Sequence, residues 1–121
     1  MTTAVNITNR DDGYFTAIWA SLAMDETGIV AKVGHIAGMK TVQLTGTFGG
    51  ATIAIQGSLD NVTFFPLHVA NFDTGDYEVL TGLSAARFDA IIENPLYVKT
   101  VVTGGGGATD LKVIIGANSR L

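Results

Sequence analysis

The sequence predicts an all-β domain: an antiparallel β-sandwich of about eight short strands, with a jelly-roll-like layout preferred, preceded by an N-terminal arm over residues 1–13. Three observations predict it. Val, Ile and Thr number 11, 10 and 15 among 121 residues, and branched Cβ atoms suit extended backbone. Alternating apolar and polar segments recur at the spacing of a sandwich or barrel, bounded by Gly, Asn and Asp clusters. No segment sustains a 3.6-residue apolar period and no linker interrupts the chain, so residues 14–121 read as one domain.

The first strand is expected over residues 14–23. Tyr14, Thr16, Ile18, Ala20 and Leu22 face one way there, and Phe15, Ala17, Trp19 and Ser21 the other. Both faces are largely apolar, so cover is expected on both, one side by a subunit contact. Residues 25–28 make a polar turn, and residues 29–36 a short strand or an arm. Residues 41–47 and 51–57 read as a hairpin across Gly49-Gly50, with Val42 and Leu44 opposite Ile53 and Ile55. Ser58, Asp60 and Asn61 form a corner, because such side chains bond their own backbone in turns. Extended structure resumes over residues 62–69, and Pro66 assigns that segment to a sheet edge or bulge. Residues 71–75 turn, residues 77–80 make a short strand, residues 83–88 a strand start or one helical turn, and residues 87–92 are extended. A second hairpin is expected from residues 96–103 and 109–116, crossing the glycine loop 104–107.

Composition excludes several function classes. The formal net charge is −4 and the pI about 4.8, with seven scattered Lys and Arg, so the basic stripe that recognises nucleic acid is missing. No apolar run reaches the roughly 18 residues of a membrane span, and the N-terminus lacks a secretory signal pattern. With no cysteine there is neither a disulfide framework nor a thiolate metal site, which suits the cytosol. Charged residues are 15% of the chain against about 25% in typical soluble domains. With 15 glycines added to a 47% hydrophobic fraction, a small domain exposes apolar material, and an assembled protein is expected.

No catalytic constellation emerges, and an enzyme is not expected. The glycines at 104–107 lack the Lys and Ser/Thr of a phosphate loop. Asp73, Asp76 and Glu78 offer oxygens near Gly75 but not the calcium-loop pattern, so an ordinary turn is preferred. His35 and His68 have no cysteine to complete a zinc site, and no G-x-S-x-G elbow is present. No cofactor is implied. Phe64 and Phe65, with Tyr77 and Trp19, could form an aromatic platform for a sugar. Neighbouring strand residues point oppositely, so one of the two phenylalanines should be core and the other outward.

The stretch GTFGGATIAIQGSLDNVTFFPL, followed by LYVKTVVTGGGGATDLKVIIG, resembles small β-sandwich structural proteins of tailed bacteriophages. The resemblance covers residues 41–116, and capsid decoration (cement) proteins fit it best. It implies a jelly-roll-like subunit, often a homotrimer, made in the host bacterial cytoplasm. Its place would be the outer surface of the capsid, where it clamps neighbouring major capsid proteins. On that reading Asn6, Arg10, Asp11 and Asp12 of the arm contact the capsid, and Phe15, Ile18, Trp19 and Leu22 of the first strand contact other subunits. The competing expectation is a glycan- or host-surface-binding module of a phage tail or fibre, using Phe64 or Phe65.

Overall fold

The computed structural model describes residues 2–9, 14–34, 39–71 and 73–118. Among them the strands run β1 (Thr2–Thr3), β2 (Val5–Asn9), β3 (Tyr14–Leu22), β4 (Thr27–Gly28), β5 (Ala31–Lys32), β6 (Thr41–Thr47), β7 (Ala51–Ser58), β8 (Phe65–Pro66), β9 (His68–Ala70), β10 (Tyr77–Val79), β11 (Arg87–Ile91), β12 (Tyr97–Gly104) and β13 (Asp110–Asn118). They form two sheets, ordered β1-β4-β12-β7-β8 with β5 also on β12, and β10-β9-β11-β6-β13-β3-β2. Pairing is antiparallel except between β1 and β4.

Eight strands carry the plan, and their pairings are nested. β3 pairs β13, β5 pairs β12, β6 pairs β11, and β7 pairs β8. The chain is thus one long hairpin rolled up so that its successive pairs fall alternately in the two sheets. That is the jelly roll. β2 extends one sheet beyond β3, and the β9–β10 pair extends it beyond β11.

Both expected hairpins are replaced by crossings between the sheets. β6 pairs β11 and β13 in one sheet, whereas β7 pairs β12 and β8 in the other. The tight turn does form: Ala51 N donates to Phe48 O at 2.9 Å, and Gly49 and Gly50 take φ of 58° and 88°, which L-residues with side chains resist. Its two arms then diverge. Val42, Leu44, Ile53 and Ile55, all essentially buried, meet across the core instead of along a ladder. β12 and β13 part in the same way. The two crossings are latched together by Thr109 Oγ1, which donates to Phe48 O at 2.9 Å and accepts from Gly106 N at 3.0 Å.

The core draws on both sheets, with Phe15, Trp19, Leu44, Ile55, Ile91, Leu111 and Ile115 among its fully buried members. Trp19 Nε1 donates to Ile29 O at 2.9 Å. A register shift on β3 explains why Leu22 joins this face. Leu22 pairs Leu111 and Trp19 pairs Val113, so three steps on β3 match two on β13, and the extra residue of a bulge reverses the side-chain phase. Residues 2–9 are strands of the sandwich. β2 lies on β3, and β1 lies on β4 in the other sheet, so the described part of the expected arm is built into both sheets.

Candidate functional site

Phe15, Trp19 and Leu22, expected at a subunit contact, are each 0% exposed within the single chain. The second sheet covers their side of β3, and no partner is needed there. Ile18, on the opposite side, is half-buried and lies on the outer face of the seven-stranded sheet, one strand in from its β2 edge. Register places it in one cross-strand row, Phe88–Gln43–Ile114–Ile18–Asn6. The adjacent row is Ala90–Thr41–Gly116–Thr16–Thr8. Neither row carries a charge. The charged outward positions of β13, Asp110 and Lys112, sit toward one end of that strand. Asn6 is exposed on the edge strand β2, whereas Arg10, Asp11 and Asp12 lie outside the described residues.

The aromatic platform does not assemble. Trp19 is in the core, and Tyr77, 76% exposed, lies on β10 at the far edge of the seven-stranded sheet. Neither phenylalanine of the pair enters the core, because β8 is a two-residue edge strand. Phe64 is half-buried beneath Lys99 Nζ, 4.2 Å from its ring centroid, a cation–π arrangement. Phe65 is 66% exposed and pairs with Gly57.

Phe65 overhangs a groove of about 470 Å³, within the roughly 300–1,000 Å³ of small-molecule sites. Its floor is Gly57, Leu67 and Pro95, and its rim Leu59, Asp60, Thr63, Glu93 and Asn94. Local chemistry makes the rim stiff. Ser58 Oγ donates to Asp60 Oδ1 at 2.8 Å and accepts the Asp60 and Asn61 amides at 3.1 and 3.0 Å. Asp60 Oδ1 also accepts the Val62 and Thr63 amides, both at 2.9 Å. These backbone bonds, with Thr63 foremost, hold the Asp60 carboxyl below its ordinary pKa. Across the groove, buried Lys40 donates from Nζ to Asn94 Oδ1 at 2.6 Å, and burial lowers the lysine's pKa.

Glu93 is bound to His68 twice: the His68 amide donates to Oε1 at 2.7 Å, and Nδ1 stands 2.5 Å from Oε2. Burial works to raise the Glu93 pKa, but the hydrogen bonds from His68 outweigh it and the pKa falls below the ordinary value. A lowered carboxylate pKa stabilises the fold above the unfolded-state value, about 4.3, and that contribution fades as pH falls through the folded-state value. Glu93→Gln is therefore expected to lower the melting temperature near pH 6 and to converge with wild type as pH drops below about 4. Both side chains are solvent-accessible, which limits the effect to about 1 kcal/mol or less. Melting curves across pH check it; a constant gap would reject the linkage.

The acidic turn is engaged elsewhere. Glu78 accepts from Asn71 Nδ2 at 2.7 Å and from Arg87 Nη2 at 2.9 Å, and Arg87 also donates to Asp89. Among the described residues no three His, Asp or Glu side chains are grouped to hold a metal. His35 lies outside the described residues. Sequence reasoning missed the groove, although it identified the corner and Pro66 that frame it. Pro95 and Glu93 arrive from the β11–β12 connection, and nothing local in their sequence signals that meeting.

Fold and groove together define a jelly-roll β-sandwich with a groove beside its edge strand β8. No protein-family model and no curated protein matches the chain. Among solved structures it is similar to the SPBc2 prophage-derived protein YomS, with a TM-score of 0.64 and 17% identity over 86% of this chain and 95% of that one. The capsular polysaccharide assembling protein CapF of Staphylococcus aureus has a TM-score of 0.41 at 12% identity, over 97% of this chain and 29% of that one. HppE has a TM-score of 0.37 at 13% identity, over 93% of this chain and 51% of that one. The YomS likeness establishes the shared β-sandwich fold; the others are too distant to add to it.

Proposed function

We propose that the chain is a structural subunit of a phage particle, a capsid decoration protein that assembles through sheet faces instead of performing chemistry. The observation that carries this reading is a pair of adjacent uncharged rows across the outer face of the seven-stranded sheet. Two copies of an acidic protein, each of formal charge −4, repel wherever their carboxylates meet, and they approach best on a face that carries none. The rows through Ile18 and Thr16 supply such a face, with Phe88 71% exposed at its margin. The likeness to a prophage-derived protein, extending over nearly all of both chains, supports a phage setting.

In this reading copies of the chain join as a homotrimer on the outer capsid surface, and the trimer clamps neighbouring major capsid proteins. Several modest contacts held together raise avidity by roughly 10²–10⁴ when their spacing matches. Asn6 adjoins Ile18 in the same row, so capsid and subunit contacts share one sheet. Ile18→Asp is expected to leave a folded domain and to shift the protein to monomer in light-scattering chromatography. An unchanged oligomer would remove this face from the proposal. Location and copy number in purified virions test the whole reading: hundreds of copies on the head are expected, and a few at the tail would overturn it.

A further inference from the structure

We infer that the groove beneath Phe65 is a binding site for a neutral sugar ring. Three features of the groove select this occupant. First, Phe65 presents an exposed ring on an edge strand, and the rigid rings of Pro66 and Pro95 line the same groove. A pyranose carries a face of polarised C–H groups, which suits the negative face of an aromatic ring. Second, the rim offers directed polar groups at the perimeter of that ring. Asp60 commits Oδ1 to the corner, which fixes the side chain and leaves its second oxygen to accept a hydroxyl. Asn94 commits its Oδ1 to Lys40, so its Nδ2 is the group left to donate. Thr63 lines the same wall. An apolar floor with a few fixed polar groups is the pattern of a small-ligand site.

Third, the charges decide which sugars enter. Asp60 and Glu93 line the groove, while no Lys, Arg or His does so among the described residues. Lys40 stands behind Asn94, buried, and His68 is turned onto Glu93. An anionic sugar would bring its carboxylate or sulfate against two carboxylates with no cation to receive it, so uronic and sialic acids are rejected. The rim is also pre-set. The corner and the Lys40–Asn94 bond hold the polar groups without a ligand, so little ordering cost is added on binding. This site goes beyond the structural role proposed above, and it does not depend on where in a particle the chain is placed.

The test is titration of the intact chain with maltotetraose, cellotetraose and the N-acetylglucosamine tetramer, against tetragalacturonic acid and sialyllactose as anionic controls. Amide chemical shifts and calorimetry provide the readouts. At least one neutral oligosaccharide is expected to shift the amides of residues 58–66 and to bind with measurable affinity, and the anionic sugars are expected not to. Phe65→Ala should weaken that binding by about tenfold or more, the equivalent of about 1.4 kcal/mol. Phe65→Leu should weaken it similarly, since leucine keeps apolar bulk but has no flat face. Asp60→Asn keeps the oxygen that ties the corner and replaces the second acceptor by a donor, so it should also weaken binding. Tyr77→Ala is the contrasting variant: Tyr77 is 76% exposed on β10 of the other sheet, away from the groove, and its loss should matter little. Phe65 is exposed, so these variants keep the amide spectrum of a folded domain. Absence of binding by all the neutral sugars, equal binding of the anionic ones, or affinity that follows Tyr77 instead of Phe65 would each overturn the assignment; the last would place the sugar outside the groove.

Discussion

Replacing Trp19 with alanine is expected to unfold the domain, not to separate subunits. The indole is 0% exposed, and its Nε1 donates to Ile29 O at 2.9 Å, tying β3 to the connection between β4 and β5. Removing a buried aromatic of this size costs about 3–5 kcal/mol, a large share of the roughly 5–15 kcal/mol that holds a typical domain together. Trp19→Phe separates the two contributions. It keeps a ring in the core and loses the hydrogen bond, leaving a carbonyl short of a partner at about 1–3 kcal/mol. Urea denaturation followed by circular dichroism measures both. The outcome is read beside Ile18→Asp, one residue away on the other face of the same strand. That variant should keep the denaturation midpoint near wild type while losing assembly. A Trp19→Ala protein that stays folded at the wild-type midpoint and fails only to assemble would reverse the assignment of the two faces.

The contrast between Ile18 and Trp19 also shows how far the sequence could be read. Composition and alternation were enough for the sandwich but not for its strand count: about eight strands were expected, and thirteen are found among the described residues. The corner at residues 58–61 was legible because its chemistry is local: Ser58 and Asp60 bond the amides of the next few residues. The pairing of β6 with β7 was not. A tight Gly-Gly turn joins two alternating strands equally well within one sheet or between two. The choice is made by β13 and β12, distant in sequence, which take up the ladder edges of β6 and β7. For β3, strict alternation put Leu22 on the Ile18 side. A bulge that depends on register with β13 moved it to the core. The groove was invisible for the same reason. Its walls come from residues 57–67 and 93–95, and only the rolled-up topology brings them together.

Gly28→Ala is expected to be strongly destabilising. A Cβ at this position would overlap the Thr100 hydroxyl and stand 2.5 and 2.6 Å from Trp19 Cδ1 and Nε1. Neither neighbour can yield easily. Thr100 is 0% exposed within β12, and the indole is fixed by its bond to Ile29. Gly28 itself is held in register with Thr3 on β1. Overpacking a core usually costs about 1–3 kcal/mol, and with obstruction on two sides the loss should reach the upper end. The Thr100 hydroxyl has no hydrogen-bond partner among the described residues, so Thr100→Ala removes a buried polar atom that the fold leaves unsatisfied, though it also opens a small cavity. In that background the added methyl at residue 28 meets only the indole. The two substitutions should therefore be less damaging together than their separate losses imply, with a coupling of about 1 kcal/mol or more, as expected for residues in direct contact. A double-mutant cycle from urea denaturation measures this. Strict additivity would mean that Trp19 alone sets the limit at Gly28, and a Gly28→Ala variant of wild-type stability would mean that β4 does not pack against the indole.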